Sequence, residues 1–145
     1  MKLRTGDPWM TSKEYGRSLE ALSINLVVHD IEQAIRFQRE VLGATVIYSD
    51  PDFAALEGFG ARWIMHADHT YQGHPLEGVL AYTPQRGAGV ELRLHGCDPD
   101  RAEAAAQRLG YKVLVSAADK NRGLREAYLV DSDGYVWVPD VHSKT

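Results

Sequence analysis

At 145 residues the chain is long enough for one domain with a substantial core. Its composition, 44% hydrophobic and 25% charged, is that of an ordinary globular protein, and a formal charge of −4 argues against the basic surface that nucleic-acid binding needs. No apolar run is long enough to span a membrane, the mixed-charge N-terminus lacks the apolar stretch of a secretory signal, and a lone Cys97 excludes an internal disulfide or a cysteine-rich metal site. The expectation is a cytoplasmic protein with neither nucleic-acid nor membrane partners.

Residues 1–20 read as an arm. Thr11-Ser12-Lys13-Glu14 spells a capping box that can start a short helix ending near Gly16. Trp9 and Tyr15 are its hydrophobic anchors, onto the chain's own core or onto a partner subunit. Leu22 to Val28 then alternates as a strand. Asp30 follows as an N-cap, Ile31, Ala34, Ile35, Val41 and Leu42 recur at helical spacing, and Gly43 ends the helix. Thr45–Tyr48 reads as a strand, and two more short strands follow near Phe53–Glu57 and Arg62–Ala67. The segment from His69 to Gly89 is rich in glycine and proline, a long connection that bridges subdomains or covers a site.

The pattern then recurs. Val90–Leu94 is a strand, Asp98 an N-cap, and Pro99 the first helical residue. Ala102, Ala105, Ala106 and Leu109 make the apolar face, and Gly110 is the stop. Lys112–Val115 is the next strand, and Arg125–Val130 and Tyr135–Val138 flank the turn Asp131-Ser132-Asp133-Gly134. Asp98 lies 68 residues after Asp30, and in that register Gly43 falls within one residue of Gly110. The chain therefore reads as two diverged βαβββ modules, 21–68 and 90–140, joined by a loop over 69–89. A period this long fits paired modules better than a solenoid.

Leu26-Val27-Val28-His29-Asp30, Phe37 through Val41-Leu42-Gly43, and Asp131-Ser132-Asp133-Gly134-Tyr135-Val136-Trp137, in this order, resemble the vicinal oxygen chelate superfamily. That superfamily holds glyoxalase I, extradiol dioxygenases, and bleomycin- and fosfomycin-resistance proteins. Ser132 stands where the family's turn usually has Pro. The resemblance covers about residues 20–140 and implies an α+β fold, the glyoxalase/bleomycin resistance fold. In it the two modules form a curled mixed sheet around a cleft, and homodimers are common.

The resemblance also implies where a metal would sit. Its ligands come from the first and last strand of each module, the first-strand ligand seven residues before the capping Asp. Those positions here are Ser23 and Glu91. The last-strand position of module two falls on Val138, and that of module one lies around Ile64 to Asp68, with His66 available. Ser is a poor ligand and Val is none, so the standard site is at best half present. A shifted donor set is the alternative: His66, His69 and His74, near Asp68, with Glu91, for one Zn, Ni, Mn or Fe. In the bland reading, His69 and His74 cap loop backbone or bond Asp68 and Glu77.

Other residues carry two readings each. Asn25 and Arg93 share a register, five residues before the capping Asp, and a face with Ser23 and Glu91. Arg93 there pairs with Glu91 or clamps an anionic ligand. Glu91 is equally a candidate general base. Trp63, Tyr128 and Trp137 suit the walls of a planar-ligand site, or core packing. Arg122 and Arg125 guard the cleft mouth or are solvated surface. Cys97, without a catalytic partner, reads as structural. Two functions compete: a protein binding a small organic molecule in its cleft without a metal, and a metal-dependent lyase, isomerase or dioxygenase using Glu91 and the histidines.

Overall fold

The computed structural model describes residues 1–83 and 85–144. Helix α1 (Ser12–Ser18) lies in the arm and starts at the capping box, with Thr11 Oγ1 accepting from Glu14 N–H and Glu14 accepting from Thr11 N–H. Module one comprises β1 (Asn25–Val28), α2 (Ile31–Phe37), β2 (Thr45–Ser49), β3 (Phe53–Gly58) and β4 (Ala61–Ala67). The joining segment holds a short 3-10 turn, Asp68–Tyr71, and α3 (Glu77–Ala81). Module two comprises β5 (Glu91–His95), α4 (Pro99–Leu109), β6 (Lys112–Asp119), β7 (Leu124–Val130) and β8 (Val136–His142).

The capping logic of the two modules is the same. Asp30 accepts from Gln33 N–H at the start of α2, and Asp98 from Asp100 and Arg101 N–H at the start of α4. Gly43 and Gly110 stop their helices in left-handed backbone, at φ 79° and 83°, where a side chain would be strained. One difference is local: after Phe37 the first helix widens into a π-helical turn, Gln38–Leu42. Its buried Gln38 accepts from the Trp63 indole N–H.

Each module forms its own four-stranded sheet, in the orders β1-β4-β3-β2 and β5-β8-β7-β6, with the outer pair β1–β4 or β5–β8 parallel. Among the described residues, no strand of one sheet is hydrogen-bonded to a strand of the other. The modules meet through their helices, α4 lying against the π-helical turn. A single core joins the helix-facing side of both sheets, including Leu26, Met65, Leu92, Leu129 and Trp137. Polar contacts also tie the modules together, Cys97 Sγ–H donating to Leu42 C=O among them. Tyr135 Oη–H and Arg86 Nη1 both donate to Val27 C=O, and Asp133 accepts from His29 N–H. Gly134 is required here, because a Cβ would lie 3.0 Å from Arg86 N.

Strand alternation leaves each sheet a second face, away from the helices. On the first sheet, Asn25, Val27, Ile64, His66, Phe53 and Ala55 share that face by register. On the second sheet it carries Glu91, Arg93, His95, Val138, Asp140 and Glu126. Ordered pairing of β1 begins at Asn25, so Leu22, expected within the strand, stands beside it 85% exposed.

Candidate functional site

On the first sheet, the arm folds back over the open face. Trp9 stacks on Tyr48 with ring centroids 4.5 Å apart and an interplanar angle of 18°, and also faces Phe53 at 5.8 Å. Tyr15 meets Phe53 edge-on at 5.4 Å. Of the two anchor readings, Trp9 and Tyr15 thus pack on their own chain, though on the sheet's open face rather than the helix-side core.

The arm is also tied down by Asp52, which is fully buried. Its carboxylate accepts from Leu3 N–H at 2.7 Å, Arg4 N–H at 3.1 Å and the His69 ring at 2.6 Å. Burial alone would raise this carboxyl. The His69 and backbone hydrogen bonds outweigh it and hold the pKa at about 2.

Between arm and sheet lies a cavity of about 650 Å³. Its roof includes Trp9, Tyr15 and Leu19, its floor Ile47, Ala55 and Ile64, and Leu22, Ser23 and Ile24 close one side. Glu20, Glu57 and Arg62 are the charged groups at its margin. Glu57 and Arg62 pair at 3.9 Å.

Next to that floor, His66 Nδ1 lies 2.8 Å from Asn25 Oδ1, and Asn25 Nδ2 donates to Tyr71 Oη at 2.9 Å. An amide oxygen only accepts, so this arrangement puts the ring proton on Nδ1 and the lone pair on Nε2. Burial, and then the Lys2 charge, lower the His66 pKa and favour its neutral form.

The open face of the second sheet is built from charge. Arg93 reaches Glu91 and Glu126 at 2.9 Å each, the Tyr128 hydroxyl at 3.3 Å and Asp140 at 3.8 Å. Glu126 and Asp140 are each 1% exposed. Arg122 adds a second bond to Glu126 at 2.6 Å, and His95 a contact to Asp140 at 2.9 Å. Against the effect of burial, the Tyr128, Glu91 and Glu126 contacts raise the Arg93 pKa, so its charge is permanent. Glu126 is lowered despite burial, chiefly by Arg93. Beside this cluster, Glu91, Arg93, Leu114, Tyr128 and Val136 border an open depression of about 670 Å³.

The expected metal donors do not come together. Among the described residues, no group of three or more His, Cys, Asp or Glu side chains is placed to hold a metal ion. His69 is committed to Asp52, and His74 Nδ1 accepts from Leu76 N–H, the loop-capping role. His66 lies on the first sheet, whereas Glu91 lies on the second and is bound by Arg93. The inherited positions fit no better, since Val138 is buried and has no donor atom. Neither donor set therefore fits a metal.

Two of the residues expected as aromatic walls, Trp63 and Trp137, are largely buried. Trp137 is 2% exposed and donates to Asp131, and Trp63 donates to Gln38, with the two rings 5.6 Å apart in the core. The Trp137 ring borders neither cavity described above, whereas Trp63 also lines the cavity under the arm. Arg93 is engaged by carboxylates, so it is not a free clamp for an anion. Arg125 forms a two-point pair with Asp100 of α4, at 2.7 and 2.8 Å. Cys97 is fully buried, donates to Leu42 C=O, and is pushed up to about 11 by burial, which suits its structural reading.

Sequence reasoning missed Asp52, Glu126, Asp140 and Arg86. Alternation along Glu126-Ala127-Tyr128-Leu129 and Val138-Pro139-Asp140 was the available signal for two of them, because it places both acids on the face of Arg93. Arg86 pairs with Asp68 at 2.5 and 2.9 Å while donating to Val27, contacts with no local pattern.

No protein-family model matches the sequence, and no curated protein does. Solved structures do match in fold. A glyoxalase-related enzyme from Fulvimarina pelagi superposes with a TM-score of 0.67 at 19% identity, covering 85% of this chain and 88% of that one. A glyoxalase/bleomycin resistance protein/dioxygenase family enzyme from Burkholderia phytofirmans PsJN gives 0.67 at 17%, covering 83% and 97%. The fosfomycin resistance protein FosX from Listeria monocytogenes gives 0.62 at 15%, covering 87% and 95%. The chain has the glyoxalase/bleomycin resistance fold of the vicinal oxygen chelate proteins.

Proposed function

We propose that this chain binds a small organic molecule in the cavity between its N-terminal arm and the open face of the first sheet, without a metal. One observation carries the reading. Trp9, Leu19, Leu22, Ile24 and Ile47 are all exposed large hydrophobic side chains, and all border this one cavity. Scattered apolar side chains need no explanation, but a concave cluster marks a binding site. The volume is within the range of about 300–1,000 Å³ that holds drug-sized ligands.

The fold supports the same reading, since its neighbours include a protein described as conferring fosfomycin resistance. Fold alone does not choose a chemistry. What favours binding over metal-assisted catalysis is the donor set: the two halves of the fold supply Ser23 and Val138 at expected ligand positions, and Arg93 engages Glu91.

Nile red, a neutral solvatochromic dye, tests the site. Its emission should rise saturably with one dye per chain. Ile47→Lys, which puts a charge on the cavity floor, should weaken binding at least about tenfold, the loss expected when a buried apolar contact is replaced by an unpaired charge. Glu91→Lys on the other sheet should leave it unchanged. Equal binding by the Ile47 variant, or loss only in the Glu91 variant, would place the site elsewhere.

A further inference from the structure

The charges at the cavity margin do not cancel. Arg62 is matched by Glu57 at 3.9 Å, whereas Glu20 has no charged partner among the described residues. The margin therefore holds one excess negative charge, in a chain whose net charge is also negative, −4. A second observation lies on the roof. Trp9 and Tyr15 supply aromatic rings to the same cavity, whose quadrupoles attract cations and not anions.

We infer that the ligand is an aryl-alkyl amine, protonated at neutral pH. Its apolar body lies on Ile47 and Ile64, and its ammonium group is directed to Glu20. This inference rests on the cavity being the binding site; what it adds is the sign of the ligand's charge.

Three near-isosteres decide it: naphthylethylamine (a cation at pH 7), naphthylethanol (neutral) and naphthylacetate (an anion), each titrated by calorimetry into the full chain. The amine should bind about tenfold tighter than the acetate, with the alcohol between. That is the size expected of solvent-exposed charge interactions acting in opposite directions on the two ligands. Glu20→Gln should weaken the amine about threefold and leave the alcohol unchanged. Glu57→Gln, which frees Arg62, should also weaken the amine. Acetate binding as tightly as the amine, or an amine affinity indifferent to Glu20, would overturn the inference while leaving the cavity reading intact. Failure of all three compounds in protein that still binds Nile red would overturn it as well, whereas failure of Nile red itself would remove the cavity reading beneath it.

Discussion

The two open sheet faces hold the same place in two repeated modules and differ in character. Position for position, Asn25 of the first sheet answers to Arg93 of the second, and Ser23 to Glu91. On the first face Asn25 and His66 form a hydrogen-bonded pair, Glu57 and Arg62 pair at the edge, and the aromatic arm roofs a cavity. On the second, one guanidinium gathers three carboxylates, two of them buried, and the charges satisfy each other. A duplicated fold thus leaves one face roofed by the arm over a cavity, where we propose the ligand binds, and spends the other on internal ion pairing.

The contrast should be largest in stability. Arg93→Met strips this cation and leaves Glu126 to Arg122 and Asp140 to His95. Breaking a buried pair costs about 3–5 kcal/mol, and these remaining partners should keep the loss near the lower end. Asn25→Ala, at the equivalent position, removes neutral hydrogen bonds near the surface and should cost about 1 kcal/mol or less. Urea unfolding of both variants measures the difference, and equal losses would break the comparison.

The modules also differ in how they hold a buried aspartate. Asp131 accepts from Trp137 Nε1–H and from Asp133 and Tyr135 N–H, yet burial dominates and raises it from 3.8 to about 6. A carboxyl raised in the folded state favours folding while protonated. Its contribution is full below pH 4 and lost as pH rises through about 6, a change of roughly 3 kcal/mol at 1.36 kcal/mol per unit. Stability measured from pH 4 to 7 should show this loss, and Asp131→Asn should flatten it.

Asp52 behaves in the reverse sense. Lowered from 3.8 to about 2, it contributes stability above pH 4 that is lost as pH falls toward 2, roughly 2 kcal/mol. Because Asp52 holds Leu3 and Arg4, the loss should be local first, seen as faster amide exchange in the arm before the sheets unfold. Asp52→Asn should produce the same release at neutral pH. A smaller effect belongs to His66: with its Nδ1 bound to Asn25 and its pKa lowered, it should titrate below the ordinary histidine range, and Asn25→Ala should alter its Nδ1 proton signal in NMR.

Much of the architecture was legible in sequence because it is written in local chemistry. Asp30 and Asp98 as caps, Gly43 and Gly110 as left-handed stops, and the Thr11–Glu14 box each act within a few residues. Strand alternation likewise set Asn25 and Arg93 on corresponding faces. The site was less legible, since its contacts join distant parts of the chain. Nothing near Asp52 indicates that it will accept from Leu3 and Arg4 nearly fifty residues earlier, at separations of 49 and 48. Nor does the spacing of His66, His69 and His74 reveal that each turns to a different partner, Asn25, Asp52 and Leu76. Proximity in sequence made them look like one donor set; the 3-10 turn after β4 separates their directions.

Amide hydrogen exchange of the full chain, with and without saturating Nile red, tests the central claim most directly. Ligand held under the arm should slow exchange in residues 9–20 and in Thr45–Ser49, and leave Glu91–His95 unaffected. Protection appearing at Glu91–His95, with the arm unchanged, would contradict it.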